Sequence, residues 1–198
     1  MTKDGRAPIL DTTINCSDYL LINFYNANTE REQLTTIKNL NNLLKDFEDF
    51  HDKKVIFAGD FNLIFDRNLE SAGGNPLLKK HSLSEIIKLN ENVNLCDIWR
   101  VRNPHKKLFT FRQSHFTGII QRRLDYIFVS NVLQESVKKT EILNVLSSDH
   151  SPVFCSFVNN DIFARGSGVW KFNNSLLLNT EIVKKLKTHI KTVTTILQ

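Results

Sequence analysis

Two short apolar, β-prone runs open the chain, Ile9–Ile14 and residues 19–25, and they predict two strands joined by a turn at 15–18. Thr29, Glu30, Arg31 and Glu32 then form a T-x-x-E capping box, in which the Thr and Glu side chains serve the orphan N–H groups of a helix start. Beyond it Leu34, Ile37, Leu40, Leu44 and Phe47 recur every three or four positions, which predicts an amphipathic helix over 30–50. The apolar run at 54–58 predicts a buried strand, the Ser-Ala-Gly-Gly-Asn-Pro stretch at 71–76 a loop, and Leu83, Ile86, Ile87 and Leu89 a second helix over 81–91. Further strands are predicted at 108–112, 124–129, 140–145 and 152–158.

Strands and helices that alternate and then give way to several strands predict an α/β (α+β) fold. We expect one mixed or antiparallel sheet carrying 19–25, 54–58, 124–129 and 152–157, with helix 30–50 against one face. Domain boundaries are expected at 1–158 for the compact domain and 159–179 for a linker, followed by a C-terminal helix at 180–198. That helix is read from Ile182, Leu186, Ile190, Val193 and Leu197, with Lys184, Lys185, Lys187 and Lys191 decorating it.

Composition changes this picture little. Of 198 residues, 41% are hydrophobic and 24% charged, with 7 Gly and 4 Pro, so the chain has the makings of a packed core and is not low-complexity. A net charge of +5 permits a polyanionic partner without demanding one. Cys16, Cys96 and Cys155 are odd in number and far apart, with no C-x-x-C, which argues against a disulfide framework and a structural zinc site. They are expected as buried free thiols in a reducing compartment. No apolar run approaches the roughly 18–20 residues that span a bilayer, and the polar start lacks a signal-peptide core. The expectation is an intracellular protein, nuclear or cytoplasmic, neither secreted nor in a membrane.

Three segments can carry chemistry. They are Gly59-Asp60-Phe61-Asn62 after a buried strand, Arg123-Leu124-Asp125-Tyr126-Ile127-Phe128, and Ser148-Asp149-His150-Ser151-Pro152 before a strand. Strand ends at one sheet edge are where α/β proteins place sites. Taken singly, Asp-x-Asn is a turn pattern and Asp-His a cap or surface pair. Asp125 is harder to dismiss, because Asp disfavours strands. From Ile98 to Leu124 there are seven Lys/Arg and no Asp or Glu, with Phe109, Phe111 and Phe116 interleaved, a pattern that suits phosphate neutralisation or a solvated loop over core phenylalanines. His51, His81, His105, His115 and His189 have no carboxylate or Cys at ligand spacing and are expected to be surface or structural residues.

In this order the three segments resemble the signature of the endonuclease/exonuclease/phosphatase superfamily, G-D-F-N, R-[LI]-D-Y-[IF] and S-D-H-[SA]. Within it the chain most resembles the apurinic-like endonuclease domain of LINE-type (non-LTR) retrotransposon polyproteins. Residues 23–28 resemble the N-x-Y-x-P-N turn, with Ala27 for the proline, and residues 165–174 resemble the R-G-x-G-x-W-K-x-N-N connector toward a reverse transcriptase. The resemblance implies a layered sandwich of mixed β-sheets flanked by helices, Mg²⁺ (or Mn²⁺) as cofactor, DNA as partner and a former fusion to a reverse transcriptase. It implies that Asp60 activates or orients the attacking water and that Asn62 holds the water or the phosphate. His150 is implied to stabilise the phosphate, Asp125 to fix its imidazole, and Asp149 to bind the metal. Tyr25 and Asn28 are implied at the phosphate, and Thr110 at DNA. Arg112, Arg122 and Arg123 are expected to bind substrate as part of the basic stretch. Hard carboxylate oxygens suit Mg²⁺.

The resemblance also implies an N-x-x-G asparagine and a metal-binding Q-E glutamate ahead of G-D-F-N, and neither pattern occurs before Gly59. The expectation is therefore a truncated copy, N-terminal half missing, inactive or impaired as an endonuclease. The alternatives are a non-enzymatic nucleic-acid-binding remnant and a phosphatase-type member of the same superfamily.

Overall fold

A computed structural model describes residues 2, 4–14, 16–45, 47, 52–116, 118–144, 148–158, 179–185, 187 and 188. The chain divides into two compact units, Met1–Asp161 and Ile162–Gln198. The first contains β1 (Ile9–Ile14), β2 (Ser17–Tyr25), α1 (Glu30–Lys45), β3 (Lys54–Asp60), α2 (Arg67–Glu70), β4 (Ser71–Ala72) and α3 (Lys80–Asn92). It continues with β5 (Leu95–Asp97), α4 (Ile98–Arg102), β6 (Phe111–His115), β7 (Gly118–Arg122), β8 (Asp125–Ser130), a 3-10 helix (Asn131–Ser136), β9 (Val137–Ile142) and β10 (Val153–Phe157).

A five-stranded mixed sheet in the order β1-β2-β3-β8-β5 organises this unit. β2 and β3 run parallel with α1 as their crossover, and the other pairs are antiparallel. The period of two along the strands sorts the side chains. Leu20, Ile22, Phe24, Val55, Phe57, Tyr126 and Phe128 face one way and meet Ile37, Leu40 and Leu44 of α1 and Ile86 and Leu89 of α3. Six aromatic rings lock this core, with Phe61 at 4.8–6.5 Å from Phe24, Phe57, Phe65, Tyr126 and Phe128. On the opposite face Val129, Ile56, Ile127 and Tyr19 pack with Ile98, Leu133, Val137, Cys155 and Phe157.

That second cluster corrects the sheet expected from the sequence. The strand at 153–157 does not join the central sheet but pairs with β9 in a separate two-stranded layer. Cys155 and Phe157 pack against the sheet, while Phe154 stays 43% exposed. Two strands close in sequence pair locally and cover a face more readily than one of them extends an edge.

Other boundaries move as well. Helix α1 ends at Lys45, β9 covers 137–142 rather than 140–145, and the strand expected at 108–112 begins at Phe111 as half of the β6–β7 hairpin. Half of the capping box forms, Thr29 Oγ1 accepting from Glu32 N–H at 3.4 Å, while Glu32 Oε2 accepts from the Thr29 hydroxyl at 2.8 Å. Cys16 is exposed at the β1–β2 turn with φ of +57°, not buried, whereas Cys96 and Cys155 are half-buried free thiols. His81, His105 and His115 are exposed as expected; His51 and His189 lie outside the described residues. No helix among the described residues is long and apolar enough to cross a membrane.

In the second unit, residues 180–185 and 187–188 are helical, started by Asn179, whose Oδ1 accepts from Glu181 and Ile182 N–H at 3.0 and 3.3 Å. The rest of the helix expected at 180–198, the expected linker and the connector motif at 165–174 lie outside the described residues.

Candidate active site

Three strand ends meet at one edge of the central sheet. Tyr25 ends β2 opposite Asp60, and Asp60 ends β3 opposite Asp125, the first residue of β8. Gly59 makes this close approach possible. Its φ is +143°, and a Cβ there meets the Phe24 carbonyl oxygen at 1.9 Å.

After Asp60 the chain turns sharply. Asp60 Oδ1 accepts from Asn62 N–H at 2.9 Å, and Asn62 takes φ of +48°, a conformation that asparagine tolerates. Asn62 Nδ2 donates to the Asn26 carbonyl at 3.0 Å, while Asn26 Nδ2 donates to the Phe61 carbonyl at 2.9 Å. Lys79 Nζ, which sequence reasoning missed, donates to the Asn62 carbonyl at 3.0 Å. The only signal for it was a Lys-Lys pair behind the Gly-Gly-Asn-Pro loop.

Asp125 is fixed by Thr110, whose Oγ1 accepts from Leu124 N–H at 2.9 Å and Asp125 N–H at 3.1 Å. The segment bearing His150 is tied to the same place. Ser151 N–H donates to the Thr110 carbonyl at 2.6 Å, Arg112 N–H to the Asp149 carbonyl at 2.8 Å, and Phe111 and His150 form an isolated bridge. The result is a 2.9 Å contact between Asp125 Oδ2 and His150 Nδ1, inside the hydrogen-bond range that the Asp–His assignment requires.

Asp60, Asp125 and His150 each present a ligand atom within 4.8 Å of the others, all three half-buried. Burial raises the Asp60 pKa above its ordinary value, the Asn62 N–H works against it, and the negative charge of Asp125 adds to the rise. His150 and Lys79 oppose with positive charge. Burial lowers the Lys79 pKa, against the pull of Asp60 and Glu30. A groove of about 480 Å³ runs from Asp125 and His150 along Ala58, Ile127 and Val153.

Several expected site residues are placed elsewhere. Asp149 is exposed and outside the Asp60–Asp125–His150 cluster. Thr110 is fully buried and its hydroxyl serves β8 rather than a ligand. Arg123 is 1% exposed and enclosed by Glu70 and Asp97, so it is a buried structural cation and not a substrate contact. Burial acts to lower its pKa, and Asp97 with Glu70 outweighs that and holds it above the ordinary value. Arg122 is 8% exposed, with Nη1 donating to the Ala72 and Gln121 carbonyls at 2.7 Å. Arg112 is half-buried and donates to Asn144 Oδ1 at 3.1 Å. Tyr25 is 54% exposed beneath Arg6, and Asn28 is exposed. A Q-E pair does occur, at Gln134–Glu135, but on the 3-10 helix beyond the end of β8 opposite to Asp125.

A family model described as "Endonuclease-reverse transcriptase" matches residues 19–154. The chain belongs to that family, and with it to the endonuclease/exonuclease/phosphatase superfamily. It is 27% identical over 169 residues to the Transposon TX1 uncharacterized 149 kDa protein of Xenopus laevis, a match spanning 85% of this chain and 12% of that one. Among solved structures it is similar to the endonuclease domain of TRAS1, a telomere-specific non-LTR retrotransposon (TM-score 0.58, 13% identity, 78% of this chain and 64% of that chain). It is also similar to the AP endonuclease LMAP from Leishmania major (TM-score 0.56, 20% identity, 74% of this chain and 52% of that chain). The chain thus spans about half to two-thirds of these structures and a small part of the transposon protein.

Proposed function

We propose that Asp60, Asn62, Asp125 and His150 form the water-activating, phosphate-facing side of a metal-dependent DNA phosphodiesterase, of the endonuclease type found in retrotransposon polyproteins with a reverse transcriptase. The observation that carries this reading is the Asp125–His150 pair at 2.9 Å with the Asp60 carboxylate beside it. Asp125 accepts the Nδ1 proton, which leaves His150 Nε2 to face a phosphate oxygen as negative charge develops there. Asp60, one oxygen held by Asn62 N–H, offers the other to orient and deprotonate a water. Tyr25 and Asn28, exposed at the same edge, are available to the phosphate.

The donor set fits Mg²⁺ or Mn²⁺. Two carboxylates face each other with charge that nothing within the cluster but His150 offsets, and burial already disfavours the Asp60 anion. Asp60 would hold the ion, with Asp125 and His150 around it; a bound ion supplies charge neutralisation at the phosphate and a more acidic water. Of the basic stretch, Lys106 and Lys107 are exposed and remain available to a DNA backbone, whereas Arg102 donates to the Gln134 and Val137 carbonyls. A former fusion to a reverse transcriptase rests on the family description and the transposon relative.

Mn²⁺ broadening of amide NMR signals tests this without requiring turnover. We expect broadening confined to residues around Asp60, Asp125 and His150 and its loss in Asp60→Asn, with weaker binding of a DNA duplex in His150→Ala. Broadening elsewhere, or duplex binding unaffected by His150→Ala, overturns the reading.

A further inference from the structure

Next to Asn62, on the side away from His150, lies a separate pocket of about 160 Å³. Leu63, Ile64, Leu77 and Leu124 give it apolar walls, and Lys79 and Arg122 are its two cations. Neither cation has an ion-pair partner among the described residues. Arg122 is 92% removed from solvent yet is met by carbonyl oxygens alone, those of Ala72 and Gln121. Lys79 is half-buried and also rests on a carbonyl, that of Asn62. Buried cations in proteins are normally paired with anions. Asp60 and Glu30 act on Lys79 only from beyond ion-pair range, and Arg122 meets carbonyls rather than a carboxylate, so the pocket that the two cations line beside the catalytic loop has room for an anion.

We infer that this pocket is an anion subsite for a backbone phosphate of the nucleic acid next to the scissile one, bound by the Lys79 ammonium and the Arg122 guanidinium. The inference rests on the phosphodiesterase reading above for the identity of the phosphate, though not for the site. Lys79 is tied to the Asn62 carbonyl, so a phosphate held there sits at a fixed distance from the turn that presents Asp60. Leu63 is buried beneath the pocket and Leu77 stays exposed at its mouth, so an anion can enter from solvent and meet two charge-assisted donors. Arg122 contributes rigidity, because its guanidinium is already clamped by the β4 and β7 backbone.

The test titrates inorganic phosphate, and separately a short DNA duplex, at constant ionic strength, following amide shifts. Saturable shifts of Asn62, Leu77 and Leu124 with phosphate are expected. Lys79→Gln removes the charge while keeping an N–H donor, one atom shorter than lysine, on the Asn62 side of the pocket. It is expected to weaken phosphate binding by about tenfold or more and to reduce the slope of log affinity against log salt for the duplex by about one. Lys79→Arg is expected to restore both. Unchanged binding in Lys79→Gln, or phosphate shifts that centre on His150, overturns the inference. Shifts by phosphate but not by duplex show a site for free phosphate and overturn the nucleic-acid assignment. The two readings fail separately. Mn²⁺ and His150→Ala report on the Asp60 cluster, whereas phosphate and Lys79→Gln report on this pocket.

Discussion

Asp60 and Asp125 are direct cross-strand partners, the last pair in register between β3 and β8. Like charges opposed on adjacent strands destabilise a sheet, and here burial compounds the effect at Asp60. The folded state therefore binds a proton at Asp60 more readily than the unfolded chain does. A carboxyl whose pKa is raised on folding helps the fold below its unfolded value, near 3.8, and costs stability as pH rises through the folded value. Asp60→Asn keeps the acceptor for Asn62 N–H and removes the charge. We expect it to raise the thermal midpoint at pH 7 by roughly 2–4 °C and the gain to vanish below about pH 4. Thermal unfolding of both proteins across pH measures this; a variant that is less stable than the parent at pH 7 contradicts it.

Glu70 rivets the loop after Asp60 to β8. Its Oε2 accepts from Phe65 and Asp66 N–H at 2.8 and 3.0 Å and from the Tyr126 hydroxyl at 2.9 Å, while Oε1 accepts from Arg123 Nε at 3.0 Å. Both side chains of the Glu70–Arg123 pair are 1% exposed. Removing Glu70 leaves Arg123 with Asp97 as its one remaining carboxylate and deprives the Phe65 and Asp66 N–H groups and the Tyr126 hydroxyl of their shared acceptor, so Glu70→Ala is expected to cost about 3–5 kcal/mol. In a double-mutant cycle with Arg123→Met the pair should show coupling of at least about 1 kcal/mol. Additive losses in denaturant unfolding would show that the two side chains act independently.

These two networks also mark how far the residues could be read in advance. The run at 54–58 ending in Asp60 and the misplaced Asp125 in a strand were legible, because each breaks a local rule for a reason that only a site supplies. The destination of β10 was not. Val153, Cys155 and Phe157 alternate as any strand does, and periodicity does not say which layer a strand joins. Arg123 looked like its neighbours in a basic stretch, since its partners Glu70 and Asp97 are distant in sequence. The burial expected of all three cysteines fails at Cys16, because its neighbours Asn15, Ser17 and Asp18 are polar and a tight turn with positive φ carries it outward. Lys79 carried no motif at all and acquires meaning only through Asn62.

Gly59 sets the spacing of the site. An alanine there places its Cβ 1.9 Å from the Phe24 carbonyl oxygen, in a backbone conformation with φ of +143° that L side chains rarely adopt. Relief requires β2 and β3 to separate at Tyr25 and Asp60, which are partners one step further on. Gly59→Ala is expected to cost roughly 2–5 kcal/mol. Amide exchange should locate the loss at the ends of β2 and β3, and protection there equal to that of the parent protein would refute the steric argument.

This chain is expected to nick DNA at least about a thousandfold more slowly than the endonuclease domain of TRAS1. The cluster holds two carboxylates and an imidazole, and one carboxylate, Asp125, is committed to His150. That leaves Asp60 as the charged contact for a cation that sheds its waters reluctantly. The family pattern assigns the principal metal contact to a Q-E glutamate ahead of G-D-F-N, whereas Glu135 is exposed at the far end of β8. Metal stabilisation contributes several kcal/mol to such reactions, and each ~1.4 kcal/mol is about tenfold in rate. The measurement is conversion of supercoiled plasmid to open circle in Mg²⁺, beside His150→Ala and the TRAS1 domain. Nicking within about tenfold of that domain, dependent on Mg²⁺ and abolished by His150→Ala, would show that Asp60 needs no further carboxylate, or that exposed Asp149 turns inward to supply one.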